Sequence, residues 1–185
     1  HANQALDILS NYPPNHVILD NLRLLATLAV DRKDFDSALG YSLKALSISE
    51  EVYDIGEHGT IQYMLTGINN RLGQFEKATM YGEKAIAIFK QIGSLKWQGI
   101  VETEMGNIEK NKGELSKAEY WHKSALDKFN VIRDEIGQAS SYFELYTLCK
   151  NHGDEQKSEV FRLKSLELAT KTDFEFLINL LQENK

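Results

Sequence analysis

The sequence repeats itself every 40 residues. Phe35, Phe75, Leu115 and Glu155 hold one register; Ala38, Ala78, Ala118 and Ser158 hold a second. Tyr41, Tyr81, Trp121 and Phe161 hold a third, and Ala45, Ala85, Ala125 and Ser165 a fourth. Gly73, Gly113 and Gly153 precede the last three units, with Lys33 in the first. A fixed period of this size marks stacked supersecondary units rather than one globular core. Such an array presents a long surface, so binding is the expected function.

Each unit reads as two helices. Between Gln74 and Ile92, apolar residues fall at Phe75, Ala78, Tyr81, Ala85, Ile88 and Phe89, steps of three and four that give one apolar face. The small alanines admit a close neighbouring helix. Asp34, Gln74, Glu114 and Asp154 stand at the helix starts, where acidic and amide groups suit the N-terminus. The preceding glycines suit the positive φ that ends a helix. The first helices carry Leu25, Leu65, Met105 and Leu145, and also Leu28, Ile68, Ile108 and Leu148, as core stripes.

The spacing predicts first helices at 20–33, 59–72, 99–112 and 137–152. It places second helices at 35–53, 75–92, 115–132 and 155–171. Tight turns make each pair an antiparallel hairpin. The units then run 20–58, 59–98, 99–136 and 137–171. Ala5 and Ile8 precede Ala45 and Ile48 by one period, so residues 1–19 read as the second helix of a partial earlier unit plus a linker. That start leaves Leu6, Ile8 and Leu9 as a face for homodimer pairing or for a cap. Residues 172–185 read as a terminal capping helix, with Thr172 and Glu175 at capping-box spacing and Phe174, Leu177, Ile178 and Leu181 apolar.

The run from Gly73 to Ile86 (GQFEKATMYGEKAI) and its counterpart from Gly113 to Leu126 resemble the tetratricopeptide repeat. The resemblance covers residues 20–171 and is weakest in the fourth unit, where Ser158 and Ser165 replace both alanines. It implies an all-α, right-handed superhelix of antiparallel hairpins, an α-solenoid. The usual period is about 34. The six extra residues here are expected to lengthen the helices and their connection. Long repeats with the run from Ala85 to Gly93 (AIAIFKQIG) look like those of kinesin light chains, and of bacterial regulators and peptide receptors.

In this family the first helices line a concave groove. The stripe opposite the core is Thr103, Asn107, Lys110 and Asn111 in the third unit. Its equivalents are Tyr63, Asn70 and Arg71 in the second unit and Phe143, Thr147, Lys150 and Asn151 in the fourth. Asparagine can donate to and accept from a peptide backbone, and Lys or Arg can meet a carboxylate. Tyr63 and Phe143 would supply apolar pockets. The alternative is the solvated polar face that every amphipathic helix needs. The chaperone-binding carboxylate clamp is not reproduced: Asn107 matches one of its positions, but Thr103 stands where a Lys is needed, and Glu104 and Glu144 line the edge.

Composition narrows the partner. Net charge is −6 and the pI about 5.4, which argues against direct nucleic-acid contact or an anionic membrane surface. No apolar run is long enough to span a bilayer. The single cysteine, Cys149, fits a reducing compartment, the cytoplasm, and reads as a structural thiol. Trp121 reads as core, and Trp97 as lying in a turn between repeats. The five histidines lack zinc-ligand spacing, and no phosphate cradle or triad is present. The expected protein is a non-catalytic binding scaffold without cofactor or metal, part of a bacterial regulatory or signalling protein. Its expected partner is a protein or extended peptide. The competing readings are a peptide-sensing receptor arm and a self-assembly module.

Overall fold

The computed structural model describes residues 15–183, and every regular element among them is a helix. In order they are α1 (His16–Asp31), α2 (Phe35–Val52), α3 (Ile55–Arg71), α4 (Phe75–Gln91), α5 (Leu95–Asn111), α6 (Leu115–Ile132), α7 (Glu135–Asn151), α8 (Glu155–Lys171) and α9 (Glu175–Glu183). The N-terminal positions Ala5, Leu6, Ile8 and Leu9 lie outside the described residues. The fold class is the all-α repeat of antiparallel helix hairpins. The chain forms two compact units, His1–Ile92 and Gly93–Lys185. The first holds α1–α2 and α3–α4, and the second holds α5–α6, α7–α8 and α9.

The 40-residue period is built from two halves of 20. A left-handed residue recurs at Lys33, Tyr53, Gly73, Gly93, Gly113, Arg133, Gly153 and Asp173, with φ between 53° and 82°. Each ends one helix and turns the chain into the next. At Gly73 the turn is closed by Gly73 N–H to Asn70 O at 3.0 Å and Gln74 N–H to Asn69 O at 2.9 Å. Glycine has no Cβ to clash there, whereas Lys33, Tyr53, Arg133 and Asp173 hold the same conformation without that advantage. The connections between hairpins are thus as short as those within them. The extra six residues lie in the helices, not in a longer connection.

The first three of the first helices begin about one turn earlier than the spacing predicts, and α7 begins two residues earlier. Asn15, Asp54 and Asp134 cap α1, α3 and α7, each side chain accepting a backbone N–H at 3.0 Å. Asp34 and Asp154 cap α2 and α8 in the same way at 3.1 Å. Gln74 and Glu114 occupy the equivalent sites but make no side-chain cap bond. Their extra methylene carries the oxygen past the amide that a shorter residue reaches. Thr172 does not cap α9; its hydroxyl donates back to Leu168 O at 2.9 Å and closes α8. Trp97 lies half-buried within α5, not in a turn.

In the first unit Leu19, Leu22, Ala45, Ile61 and Leu65 form one cluster, and Ala29, Ala38 and Ile68 another. The repeat alanines Ala38, Ala45, Ala78, Ala85, Ala118 and Ala125 are all fully buried, as helix-contact positions must be. Leu28 departs from the expected stripe and is 44% exposed. Its counterpart Ile68 is covered by the hairpin before it, through Ala29 and Ala38, and no described hairpin precedes Leu28. The aromatic register Tyr41, Tyr81, Trp121 and Phe161 is only half-buried. The sealed position is the next one, held by Ser42, Gly82 and His122.

In the second unit the Phe129 ring lies between two glycines. A Cβ on Gly99 would sit 2.8 Å from it, and one on Gly137 2.4 Å. His122 lies against Gly106 in the same manner: a Cβ on Gly106 would sit 2.4 Å from the imidazole Cε1. Gly106→Thr is therefore expected to destabilise the chain by about 1–3 kcal/mol through overpacking. The same two registers in the second repeat hold Thr66 and Gly82. Gly106→Thr combined with His122→Gly should recover much of the loss in urea unfolding. Equal losses in the single and double variants would refute the contact.

Candidate peptide-binding face

The predicted stripe divides between the two units. In the second unit, α5 and α7 are linked by an ion pair, Lys110 Nζ to Glu144 Oε2 at 2.6 Å, with 27% and 18% of the two side chains exposed. Thr103 and Asn107 lie half-buried on α5 on the approach to that pair, and Asn111 is exposed beyond it. The Thr103 hydroxyl donates to Gly99 O at 3.0 Å. Asn107 Nδ2 donates weakly to Glu104 Oε2 at 3.4 Å, while its Oδ1 is sealed from solvent and accepts nothing from the protein. On α7 the Thr147 hydroxyl donates to Glu144 O at 2.8 Å. Phe143 packs on the cluster formed by Ala139, Tyr146, Ala169, Leu177 and Leu181, its ring 6.0 Å from that of Tyr146. Asn151 is exposed at the end of the helix.

Three expectations change. Lys110 is not a bare cation waiting for a carboxylate, because Glu144 neutralises it. Lys150 turns to Tyr146, its Nζ 3.0 Å from the phenol oxygen and 5.5 Å from the ring centroid. Asn70, in the first unit, is 7% exposed and does not project. At the register where Lys110 and Lys150 reach outward, its short side chain ends inside the helix surface. Also in the first unit, Tyr63 is half-buried and Arg71 bends its Nη1 back to Gly67 O at 2.9 Å. There α1 and α3 are tied by Arg23 and Glu57 at 2.5 Å, a second ion pair between successive first helices.

Other polar groups of the second unit are not marked by any sequence pattern. Glu102 of α5 has 4% of its side chain exposed and pairs with Lys128 of α6 at 2.7 Å. His122 is fully buried, with no hydrogen bond at either ring nitrogen, and burial and the Lys110 charge lower its pKa to about 3. The Cys149 thiol is half-buried and held above its ordinary pKa by burial, then by Glu119 and Asp154. Between α7 and α8 lies an open cleft of about 840 Å³, walled by Tyr146, Lys150, Ser158, Glu159 and Arg162. The only signal for it in the sequence is the departure of the fourth unit from the repeat. Among the described residues, no group of His, Cys, Asp and Glu is placed to hold a metal ion. No described helix is long and apolar enough to cross a membrane.

Residues 17–91, almost the whole described part of the first unit, match the tetratricopeptide repeat family. No curated protein matches the chain in sequence. A Rap protein solved in complex with competence and sporulation factor is similar in fold, with a TM-score of 0.86 at 16% identity. The match covers 98% of this chain and 50% of that one, so the chain spans about half the length of the Rap protein. Aspartyl phosphate phosphatase F from Bacillus subtilis gives 0.82 at 14% identity, covering 89% of this chain and 43% of its own. Nearly identical TPR-like repeats assigned to a kinesin light chain of Podosopora anserina give 0.73 at 15% identity, over 93% of this chain and 85% of theirs. At these identities the likeness is one of fold. Residues 17–91 thus match the tetratricopeptide repeat family, and the described residues as a whole share the helix-hairpin fold of these TPR-like repeat structures.

Proposed function

We propose that the chain is a non-catalytic scaffold that binds a protein or extended peptide along the α5–α7 face, as part of a bacterial regulatory or signalling protein of the cytoplasm. The observation that carries this is Asn107 Oδ1, an acceptor shut from water and unpaired, midway along α5. An unsatisfied buried acceptor costs free energy, which is recovered if the Asn107 side chain rotates outward and accepts from a peptide N–H laid across the helix. The flanking Lys110–Glu144 pair is neutral as a unit, so the face suits a peptide backbone better than a highly charged partner. Thr103, Asn111, Thr147 and Asn151 add donors and acceptors along the same helices, and Phe143 an apolar wall. Tyr63 and Arg71 offer the same chemistry within the first unit.

The test uses a peptide selected from a random display library on the intact chain. Asn107→Ala should weaken its binding about tenfold, the loss of one buried hydrogen bond. Lys117→Glu with Lys123→Glu, on the side chains of α6 that are 64% and 57% exposed, should leave binding unchanged. Loss of binding in the outer pair and not in Asn107→Ala would place the site on the other surface.

Two further readings have an observation behind them. The fold likeness to the Rap protein solved with competence and sporulation factor supports a peptide-sensing arm that moves an attached output domain. Val17, Leu24 and Leu28, 65%, 57% and 44% exposed along α1, support pairing with a second copy at the N-terminal face.

A further inference from the structure

The fourth repeat departs from the pattern, and three of the departures fall together. Position 146 is Tyr where the other units have Ala26, Thr66 and Gly106. Position 162 is Arg where they have Ser42, Gly82 and His122. Ser158 stands where Ala38, Ala78 and Ala118 stand. The apolar contacts of the same hairpin are kept: Ala139, Leu145, Leu148 and Ala169 are at most 3% exposed. Random decay of a repeat would erode the core as readily as its edge. Ser165, the other substituted alanine, is buried and donates to Ala139 O at 2.8 Å, whereas Tyr146, Ser158 and Arg162 wall one cleft of about 840 Å³ together with Lys150.

That cleft occupies a defined slot. In the first unit the equivalent slot over α2 is filled, with Ile68 of the next hairpin packed on Ala38. In the second unit α7 lies over α6 in the same way, bringing Cys149 within electrostatic reach of Glu119 and Lys123. Over α8, the described helix α9 packs on Ala139, Tyr146 and Ala169 through Leu177 and Leu181. The stretch from Ser158 to Arg162 borders open space instead.

Arg162 sets the chemistry of that space. Only 11% of its side chain is exposed. Its Nε and Nη2 each lie 2.7 Å from Glu159, whose side chain is 54% exposed at the rim. Its Nη1 is shut from solvent with no acceptor in the protein. A guanidinium fork that commits two nitrogens at the rim and leaves the third unsatisfied inside is incomplete without an acceptor. The Tyr146 hydroxyl and the Lys150 ammonium stand on the opposite wall, 3.0 Å apart.

We propose that this cleft binds a carboxylate carried by an acidic peptide segment, with Arg162 Nη1, Lys150 and Tyr146 as its donors and Ser158 beside them. Two cations face Glu159, and Glu155 lies at the open edge. Arg162 and Lys150 offset Glu159 and Glu155, so a carboxylate leaves the cleft with one net negative charge, held at the unsatisfied Arg162 donor, whereas a phosphate dianion would leave it with two. The volume is far larger than one carboxylate, and falls in the range of about 300–1,000 Å³ usual for ligand sites, so flanking residues of the segment are held too. The site is separate from the α5–α7 face and does not rest on the function proposed for it.

The test titrates the full chain, labelled with nitrogen-15, and follows the amides of Gly153, Gln156 and Ser158, which also line the cleft, and the Arg162 Nε–H. The probes are acetyl-Ala-Glu-Ala-amide, acetyl-Ala-Ala-Ala with a free C-terminus, the neutral acetyl-Ala-Gln-Ala-amide, and inorganic phosphate. Saturable shifts at those groups with either carboxylate peptide, and none with the neutral one, are expected. Which of the two saturates tells a side-chain from a main-chain carboxylate. Arg162→Met should raise Kd about tenfold, as loss of a charge-assisted bond does. Tyr146→Phe keeps the buried ring and should raise Kd measurably with an unchanged melting temperature. Asn107→Ala should leave Kd unchanged, which separates this site from the α5–α7 face. Equal binding of the neutral peptide, tighter binding of phosphate, unchanged affinity in both Arg162→Met and Tyr146→Phe, or no saturation with any probe would each overturn the proposal.

Discussion

Lys128→Met is expected to cost about 3 kcal/mol of unfolding free energy, the low end of what breaking a buried ion pair costs. The Glu102 carboxylate it abandons is 4% exposed, and Lys128 Nζ touches both of its oxygens at 2.7 Å. Ser124 is the other partner of Lys128, at 3.2 Å, and supplies no charge. Without the ammonium, the Glu102 carboxylate is left buried without its counter-charge, or α5 must open to let water reach it. The repeat itself supplies the control. The same two registers hold Leu22 and Ile48 in the first unit, Gln62 and Ile88 in the second, and Tyr142 and Leu168 in the fourth. None of these is an ion pair. Glu102→Leu with Lys128→Ile copies the first unit, and should equal or exceed the wild type in stability, since desolvating two charges offsets most of their attraction. Urea unfolding of the four chains in the cycle measures this. A Lys128→Met chain within error of the wild type would show that the pair is solvated and carries no stability.

The same pair shows which parts of the molecule are legible in sequence. Ala78 and Ala118, or Gly73 and Gly113, repeat one chemistry at one spacing, and the structure buries the alanines and turns at the glycines. A feature that recurs without its chemistry is silent. Half of the 20-residue turns are made by Lys33, Tyr53, Arg133 and Asp173, which carry no common side-chain signal for a positive φ. The sealed second-helix position is hidden because Ser42, Gly82 and His122 are not apolar, and the more conspicuous aromatic beside it is only half-buried. Contacts between helices are silent for another reason. Lys110 and Glu144 are 34 residues apart, outside any single-helix spacing, so the sequence shows a free cation and a free anion where the fold makes one neutral pair. Leu28 fails because burial depends on what lies beyond a helix as well as on its own stripe.

Acid is expected to destabilise the chain well above the carboxylate range, and His122 is the cause. Its ring is fully buried against Gly106, with neither nitrogen bonded. Burial first, and then the Lys110 ammonium, hold its pKa near 3, against 6.5 for an ordinary histidine. Above pH 6.5 the ring is neutral in folded and unfolded chains alike, and pH has no leverage through it. Below 6.5 the unfolded chain binds a proton that the folded chain refuses, so stability falls as pH falls, and the fall continues until the folded ring titrates near 3. The limiting slope is about 1.4 kcal/mol per pH unit, or about 2 kcal/mol by pH 5. The capping aspartates Asp34 and Asp154 act lower. Hydrogen bonds from Ser37 and Lys157 hold their carboxyls below the ordinary 3.8, so their contribution is present above 3.8 and is lost as pH falls through the lowered values. That leaves the window from pH 5 to 6.5 to histidine. His122→Ser copies Ser42 of the first unit and removes the titration at the cost of a cavity. The variant should be less stable than the wild type at pH 7, with a shallower slope in urea unfolding from pH 7 to 5, so that the two curves converge on acidification. Parallel curves would mean that the imidazole finds a proton acceptor in the fold and is not the acid-sensitive group.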